Sequence, residues 1–315
     1  MTAPLYLGVD GGGTKTEFIC IDADRQIVAR TATGTTYHLQ IGLDGAIATL
    51  RSGVADVCRQ AGIAPADLAF AFFGLPAYGE DNLIDPQLER ACGAILGHSR
   101  YACGNDMICG WAGSFACADG LNLVAGTGSI GYGQRRGVAA RVGGWGETFS
   151  DEGSAYWIAI QGLNAFTRMS DGRLPKSVLH DRFRDALSLQ SDIDLCARIM
   201  GERGMTREEI AGLATIVSAA AGEGDPVASA ILADAARELV EIARALRAKL
   251  AFEPGEIASI SWSGGVLSQE EVVRTELLGM LGRTEGFDFT SPLHPPGLGA
   301  AFYALHLATT AARLP

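Results

Sequence analysis

The stretch Asp10-Gly11-Gly12-Gly13-Thr14-Lys15-Thr16 follows the apolar run Leu5 to Val9, and what comes after it is a strand pattern rather than a helix. Loops whose glycines open a helix and hold phosphates at its N-terminus read G-x-x-x-x-G-K-S/T or G-x-G-x-x-G, and neither pattern is present. Glu17-Phe18-Ile19-Cys20-Ile21 is instead mostly apolar, β-branched or aromatic, runs into the turn Asp22-Ala23-Asp24, and is followed by the run Ile27-Val28-Ala29. The segment therefore reads as a β-hairpin with glycines at its tip. Lacking Cβ, Gly11, Gly12 and Gly13 let backbone N–H groups approach a polyphosphate, and the neighbouring carboxylate and hydroxyls suit a magnesium ion and its waters.

The 315 residues are enough for two domains, each with its own core. With 48% hydrophobic and 19% charged residues the chain is a folded one, not a disordered one. A formal net charge of −11 repels nucleic acid and anionic membranes, which points to a small-molecule ligand. No run reaches the roughly 20 apolar residues of a membrane span, and Met1 to Leu5 lacks the basic start of a signal peptide, so the expected place is the cytoplasm. Seven cysteines, Cys20, Cys58, Cys92, Cys103, Cys109, Cys117 and Cys196, show no C-x-x-C or paired Cys/His spacing and read as reduced, small core residues.

Strand and helix patterns alternate, which makes the class α/β. Ile47, Leu50, Val54 and Val57 form a helical stripe, and Phe70 to Leu75 and Leu121 to Ala125 read as buried strands. Val138 to Val142 precedes a glycine-rich loop, after which Glu152 to Thr167 continues as helix. Asp225-Pro226 opens a long helix over Val227 to Phe252, Ile257 to Trp262 is a strand, and a last helix covers Gly299 to Ala312. Two glycine-bearing strand tips in two halves hint at a remote duplication.

The second tip is Ala125-Gly126-Thr127-Gly128-Ser129, whose glycines, threonine and serine offer backbone donors and hydroxyls to phosphate oxygens; by itself it also reads as an ordinary tight hairpin. Between the tips, Asn105-Asp106 ends the short run Tyr101-Ala102-Cys103 ahead of a small-residue helix, Ile108 to Ala118. Asp106 fits an N-cap, or a general base that takes the proton of a hydroxyl attacking phosphorus. A third cluster, Gly143-Gly144-Trp145-Gly146 with Ser150-Asp151-Glu152-Gly153-Ser154, sets an aromatic, two acids and two hydroxyls among glycines. It reads as an acidic loop entering a helix, or as sugar recognition, where carboxylates accept from vicinal hydroxyls beside an aromatic that covers an apolar sugar face.

Together these residues resemble the actin-like ATPase superfamily of sugar kinases and heat-shock chaperones, and within it the N-acetylglucosamine kinase group of the BadF/BadG/BcrA/BcrD-type ATPases. The resemblance spans nearly the whole chain. It implies two ribonuclease H-like α/β domains, 1–118 with a C-terminal helix 299–315 packing back on it, and 119–298, with a nucleotide and sugar cleft between them. Asp10 to Thr16 looks like the first phosphate motif and Gly126 to Ser129 like the second. Asn105-Asp106 looks like the first connecting segment, Ser263-Gly264-Gly265-Val266 like the adenosine motif, and Pro296-Gly297-Leu298-Gly299-Ala300-Ala301 like the second connecting segment.

By the same resemblance, Gly11, Gly12, Gly13, Thr14, Lys15, Thr127, Gly128, Ser129, Gly264, Gly265 and Ser268 are expected at ATP, and Asp10 at Mg2+ through water. Tyr37, His38, Asn105, Gly144, Trp145, Gly146, Asp151 and Glu152 are expected at the sugar, with Asp106 as the base. The family often has an asparagine where this chain has Tyr37, and Ser-Gly where it has Leu75-Pro76-Ala77. The implied activity is phosphorylation of the 6-hydroxyl of an amino sugar, N-acetylglucosamine first, with glucosamine and N-acetylmannosamine as alternatives, by a cytoplasmic homodimer using ATP and Mg2+. The other classes open to such a chain are an ATPase activator with an iron–sulphur cluster, for which Cys103, Cys109 and Cys117 lack close spacing, and a non-catalytic sugar-responsive regulator.

Overall fold

The first hairpin forms where the glycine tip places it: β1 (Tyr6–Gly11) pairs antiparallel with β2 (Lys15–Ile21), setting Asp10 opposite Glu17 and Gly11 opposite Thr16. This computed structural model describes residues 3–311; Met1, Thr2 and residues 312–315, the end of the expected last helix, lie outside the described residues. β3 (Ile27–Gly34) continues the meander against β2. The next strands, β4 (Phe70–Leu75) on β1 and β5 (Tyr101–Asn105) on β4, are parallel, and the sheet order is β3-β2-β1-β4-β5. Parallel neighbours need long crossovers, supplied by α1 (His38–Ala61) and α2 (Asp85–Leu96). The stripe of α1 buries Leu50, Val54 and Val57 fully and Ile47 in part, against Leu7, Val9, Phe18, Phe73 and Leu75. Each such side chain contributes about 1.5–3 kcal/mol of transfer free energy. α3 (Met107–Phe115) follows β5 and stops short of the expected Ala118, because Ala116 and Cys117 take positive φ of 48° and 69°.

The chain divides into two compact units, one running to Gly120 and resuming at Ser291, the other Leu121–Thr290. In the second, β6 (Gly120–Ala125), β7 (Ser129–Arg135) and β8 (Val138–Gly143) neighbour one another in turn. A helical layer comes next: α4 (Ala155–Ser170), α5 (Val178–Ala186), α6 (Leu195–Met200), α7 (Arg207–Gly212), α8 (Ala214–Gly222) and α9 (Pro226–Lys249). β9 (Ala258–Ser263), α10 (Gly265–Gln269), α11 (Glu271–Met280) and β10 (Phe287–Phe289) complete the unit. β9 runs parallel to β6, and β10 parallel to β9. Read from its other edge, the second sheet is β8-β7-β6-β9-β10, the same order as the first with each strand advanced by one motif, so the hinted duplication is present as shared topology. The class is α/β, as the alternation of patterns requires.

Further helix boundaries differ from the sequence expectation. α4 begins at Ala155 rather than Glu152, because Ser154 is its cap: the Ser154 hydroxyl accepts from the Trp157 N–H at 3.1 Å. α9 ends at Lys249 rather than Phe252, while Asp225 caps its start by accepting from the Val227 and Ala228 N–H groups at 2.9 and 3.0 Å. The last helix, α12 (Pro296–Ala311), opens three residues before the expected Gly299. It belongs to the first unit, where its small residues Ala300, Ala301 and Ala304 and the ring of Phe302 share a core with Tyr6, Ile19, Ile21 and Phe72.

Candidate active site

In the first unit the tip between β1 and β2 is braced from behind. The Thr35 hydroxyl donates to the Gly12 carbonyl at 2.7 Å and accepts from the Tyr37 N–H at 2.9 Å, and the buried hydroxyls of Thr16 and Thr36 meet at 3.1 Å. Gly12 N–H closes the turn on the Lys15 carbonyl at 2.9 Å. Thr14 is exposed, and the exposed Lys15 ammonium pairs with Glu17 at 3.0 Å. Tyr37 packs edge-on against His38, whose ring is buried with its Nδ1 lacking a hydrogen-bond partner among the described residues.

Asp10 and Asp106 come together at the carboxyl ends of β1 and β5. Burial, and next the Asp106 charge, push the Asp10 carboxyl up to about 8, against a contact with the Cys109 thiol that lowers it. Asp106 stands at the start of α3, yet its side chain makes no capping hydrogen bond. Asn105 does that work: its Oδ1 accepts from the Met107 N–H at 3.2 Å while its amide donates to the Tyr78 carbonyl at 3.1 Å. Gly74 makes the approach possible, since a Cβ there would lie 2.3 Å from the Cys109 sulfur and 3.4 Å from the Asp106 Cα. Sequence reading gave Gly74 no role, because the contact is set by neighbouring strands rather than by any local motif.

In the second unit the tip Gly126–Ser129 is tied to two other segments. The Gly126 and Thr127 carbonyls accept from the Ala155 and Tyr156 N–H groups at 2.9 and 3.2 Å, at the first turn of α4. A Cβ on Gly126 would sit 3.8 Å from the Gly264 Cα, so the tip expected at phosphate and the Ser263–Gly265 turn are brought side by side. Gly264 has φ of +94° and would place a Cβ 2.4 Å from the Ala125 carbonyl oxygen, two independent reasons for glycine. Ser268 is exposed one turn into α10.

The loop from Gly143 to Ser154 projects its aromatic residues. Trp145 is 72% exposed, with the Arg141 guanidinium over its ring at 5.8 Å, and Phe149 is 75% exposed. Gly144 and Gly146 both carry positive φ. Asp151 and Glu152 lie three and two residues before the Ser154 cap, outside the first turn of α4. Glu152 accepts from the Ser150 hydroxyl at 3.1 Å. Asp151 is buried at φ of +62°, and its carboxylate takes the Arg207 guanidinium at 2.7 Å on one oxygen and the Ser129 N–H at 3.4 Å on the other. Arg207 was absent from the sequence reading, since 56 residues separate it from Asp151 and it belongs to no motif.

Cys20, Cys58, Cys92 and Cys109 are buried as core residues, whereas Cys103 and Cys117 are half-buried and Cys196 is exposed, so the expectation of core packing fails at Cys196. Cys109 is buried, with its sulfur 3.8 Å from the Val9 carbonyl oxygen, and burial together with Asp10 and Asp106 holds its thiol well above the ordinary value. Among the described residues no group of three or more His, Cys, Asp or Glu could hold a metal ion by itself. Within the first unit, a glycine tip beside the Asp10 and Asp106 carboxylates has the chemistry to receive anionic oxygens and to accept a proton.

Two α/β units of one topology, each with a glycine tip between its first two strands, define an ATPase fold of the two-unit kind. Residues 7–304 match the BadF/BadG/BcrA/BcrD ATPase family, and the chain belongs to it. It is 28% identical over 318 residues to the N-acetyl-D-glucosamine kinase of Dictyostelium discoideum, covering 97% of this chain and 99% of that one. It is 29% identical over 265 residues to an N-acetylmuramic acid/N-acetylglucosamine kinase of Clostridium acetobutylicum, covering 83% and 85%. Its fold is shared with a candidate N-acetylglucosamine kinase solved from Chromobacterium violaceum, at a TM-score of 0.75 and 24% identity over 97% of this chain and 100% of that one.

Proposed function

We propose that this chain is an ATP-dependent kinase that transfers a phosphoryl group to the 6-hydroxyl of an amino sugar, N-acetylglucosamine foremost. The observation that carries this reading is the Asp10–Asp106 pair, because Asn105 caps α3 and Asp106 is kept beside a second carboxylate that its charge destabilises. Two carboxylates held that close fit a divalent cation, here Mg2+ reached from Asp10 through water, as the oxygen-rich, chiefly phosphate-borne coordination of magnesium favours. When bound, magnesium supplies charge neutralisation at the β- and γ-phosphates.

The chain's own groups supply the remainder. Backbone N–H groups of Gly13 and Thr14, in the tip that Gly11 and Gly12 shape, the Lys15 ammonium, and the Thr127, Gly128 and Ser129 tip hold phosphate oxygens, while Gly264, Gly265 and Ser268 hold the nucleoside end. Trp145 covers the apolar sugar face between Gly144 and Gly146, and Asp151 and Glu152 accept from sugar hydroxyls. Tyr37 and His38, whose buried Nδ1 has no hydrogen-bond partner among the described residues, contact the substituent that distinguishes one amino sugar from another. Asp106 takes the O6 proton as O6 bonds to the γ-phosphorus and the bond from that phosphorus to the β–γ bridging oxygen breaks, releasing ADP. Relatives of nearly the full length, whose names carry N-acetylglucosamine, support the choice of sugar.

Asp106→Asn tests the assignment: turnover is expected to fall roughly 10²–10⁴-fold with circular dichroism unchanged, as for loss of a general base. Near-normal turnover in that variant removes Asp106 from the role. No helix among the described residues is long and apolar enough to cross a membrane, and in this reading the protein is a cytoplasmic homodimer, a state that light scattering on the same preparations checks.

A further inference from the structure

We propose that Arg207 is a positioning residue that couples sugar binding to nucleotide binding through Asp151, an inference that rests on the kinase reading above. Asp151 is a buried carboxylate in left-handed backbone, a conformation that persists only where its surroundings hold it. Its two oxygens point to different partners: Oδ2 accepts from Arg207 Nη2 at 2.7 Å, and Oδ1 accepts from the Ser129 N–H at 3.4 Å. The guanidinium also reaches Glu147 Oε2 at 3.1 Å, so one side chain grips the sugar loop at two points.

Arg207 is itself fixed. It opens α7, whose start is locked by a reciprocal cap in which the Thr206 hydroxyl accepts from the Glu209 N–H at 3.2 Å and the Glu209 carboxylate accepts from the Thr206 N–H at 2.7 Å. The ion pair lies against the phosphate tip: a Cβ on Gly128 would fall 2.7 Å from Arg207 Nη2 and 2.8 Å from Asp151 Oδ2. Gly128 therefore leaves room for this pair as well as for a ligand.

One carboxylate thus touches the tip assigned to phosphate and belongs to the loop assigned to sugar. The Ser129 bond is long for an N–H to oxygen contact, which leaves it room to shorten. A sugar hydroxyl donating to Asp151 draws the loop in, and Arg207 holds Oδ2 so that the carboxylate moves against Ser129 instead of swinging away. Sugar occupancy then tightens the tip, and by reciprocity nucleotide tightens the sugar loop. Removing Arg207 leaves a buried carboxylate without its cation, and the link is lost.

Calorimetry on the whole protein tests this with a non-hydrolysable ATP analogue and magnesium, titrated with and without saturating N-acetylglucosamine. The readout is the ratio of the two nucleotide affinities, which a purely structural loss of stability does not alter. In the wild type the sugar is expected to tighten nucleotide binding roughly 5–150-fold, the usual range of such coupling. In Arg207→Ala the ratio is expected to approach one. Should that variant fail to fold, Arg207→Gln, which keeps much of the stem and loses the charge, is judged by the same ratio. A wild-type ratio in the charge-free variant, or no coupling in a wild type that binds both ligands, overturns the proposal and leaves the kinase reading intact. A wild type that binds nucleotide but no amino sugar overturns both.

Discussion

Asp10 concentrates the electrostatics of the first unit in one side chain. Its carboxyl is pushed up to about 8, first by burial and then by Asp106, while in the unfolded chain it titrates near the ordinary value of 3.8. Between those values the folded state binds the extra proton, so stability falls as pH rises from about 4 to about 8 and the loss is complete above that window. Asp10→Asn removes the penalty: the ligand-free variant is expected to melt above the wild type at pH 8 and level with it at pH 4, by scanning calorimetry. A wild type no less stable at pH 8 than its variant contradicts the burial of that charge. The residues of this site were unequally legible. Asp106 stood out because an acid after a strand and before a small-residue helix has few uses, and the structure removes one of them by giving the cap to Asn105. Gly74 and Arg207 were silent, since their partners lie across parallel strands or 56 residues away and no local spacing records such contacts.

At the level of elements, the two hairpin tips were readable because a glycine run between a strand and another strand excludes the helix-opening phosphate loops. The helix ends were less so. α4 was expected to start at Glu152, but a serine hydroxyl that accepts from the third residue on outweighs the pull of Asp151 and Glu152 toward a helix terminus, and it moves the start to Ala155. At α9 the aspartate-proline signal succeeded because Asp225 does more than cap. Its second oxygen also accepts from the Leu179 N–H at 3.0 Å, pinning the start of α9 to that of α5. Asp225→Ala is expected to cost about 2 kcal/mol or more in urea unfolding, a cap's worth plus a buried N–H left unpaired. A loss under about 0.5 kcal/mol would show that water replaces those bonds.

Across the whole molecule, the duplicated strand order explains why the glycine tips fell in a pair, one between the first two strands of each unit. Asp10 and Asp106 belong to the first unit, and Asp151, Trp145 and Gly264 to the second. The net charge of −11 and the acids of the loop from Gly143 to Ser154 repel a nucleic-acid backbone and suit a neutral, hydroxyl-rich substrate. What composition and spacing left open is the sugar, since pockets that differ by a methyl group separate substrates by only about 1–3 kcal/mol. The measurement that tests the central claim most directly is ADP release from Mg-ATP by the purified protein, with N-acetylglucosamine, N-acetylmannosamine, glucosamine and glucose offered separately. The kinase reading expects N-acetylglucosamine to raise ADP release well above the sugar-free rate and to yield the 6-phosphate. A rate that no sugar raises contradicts it.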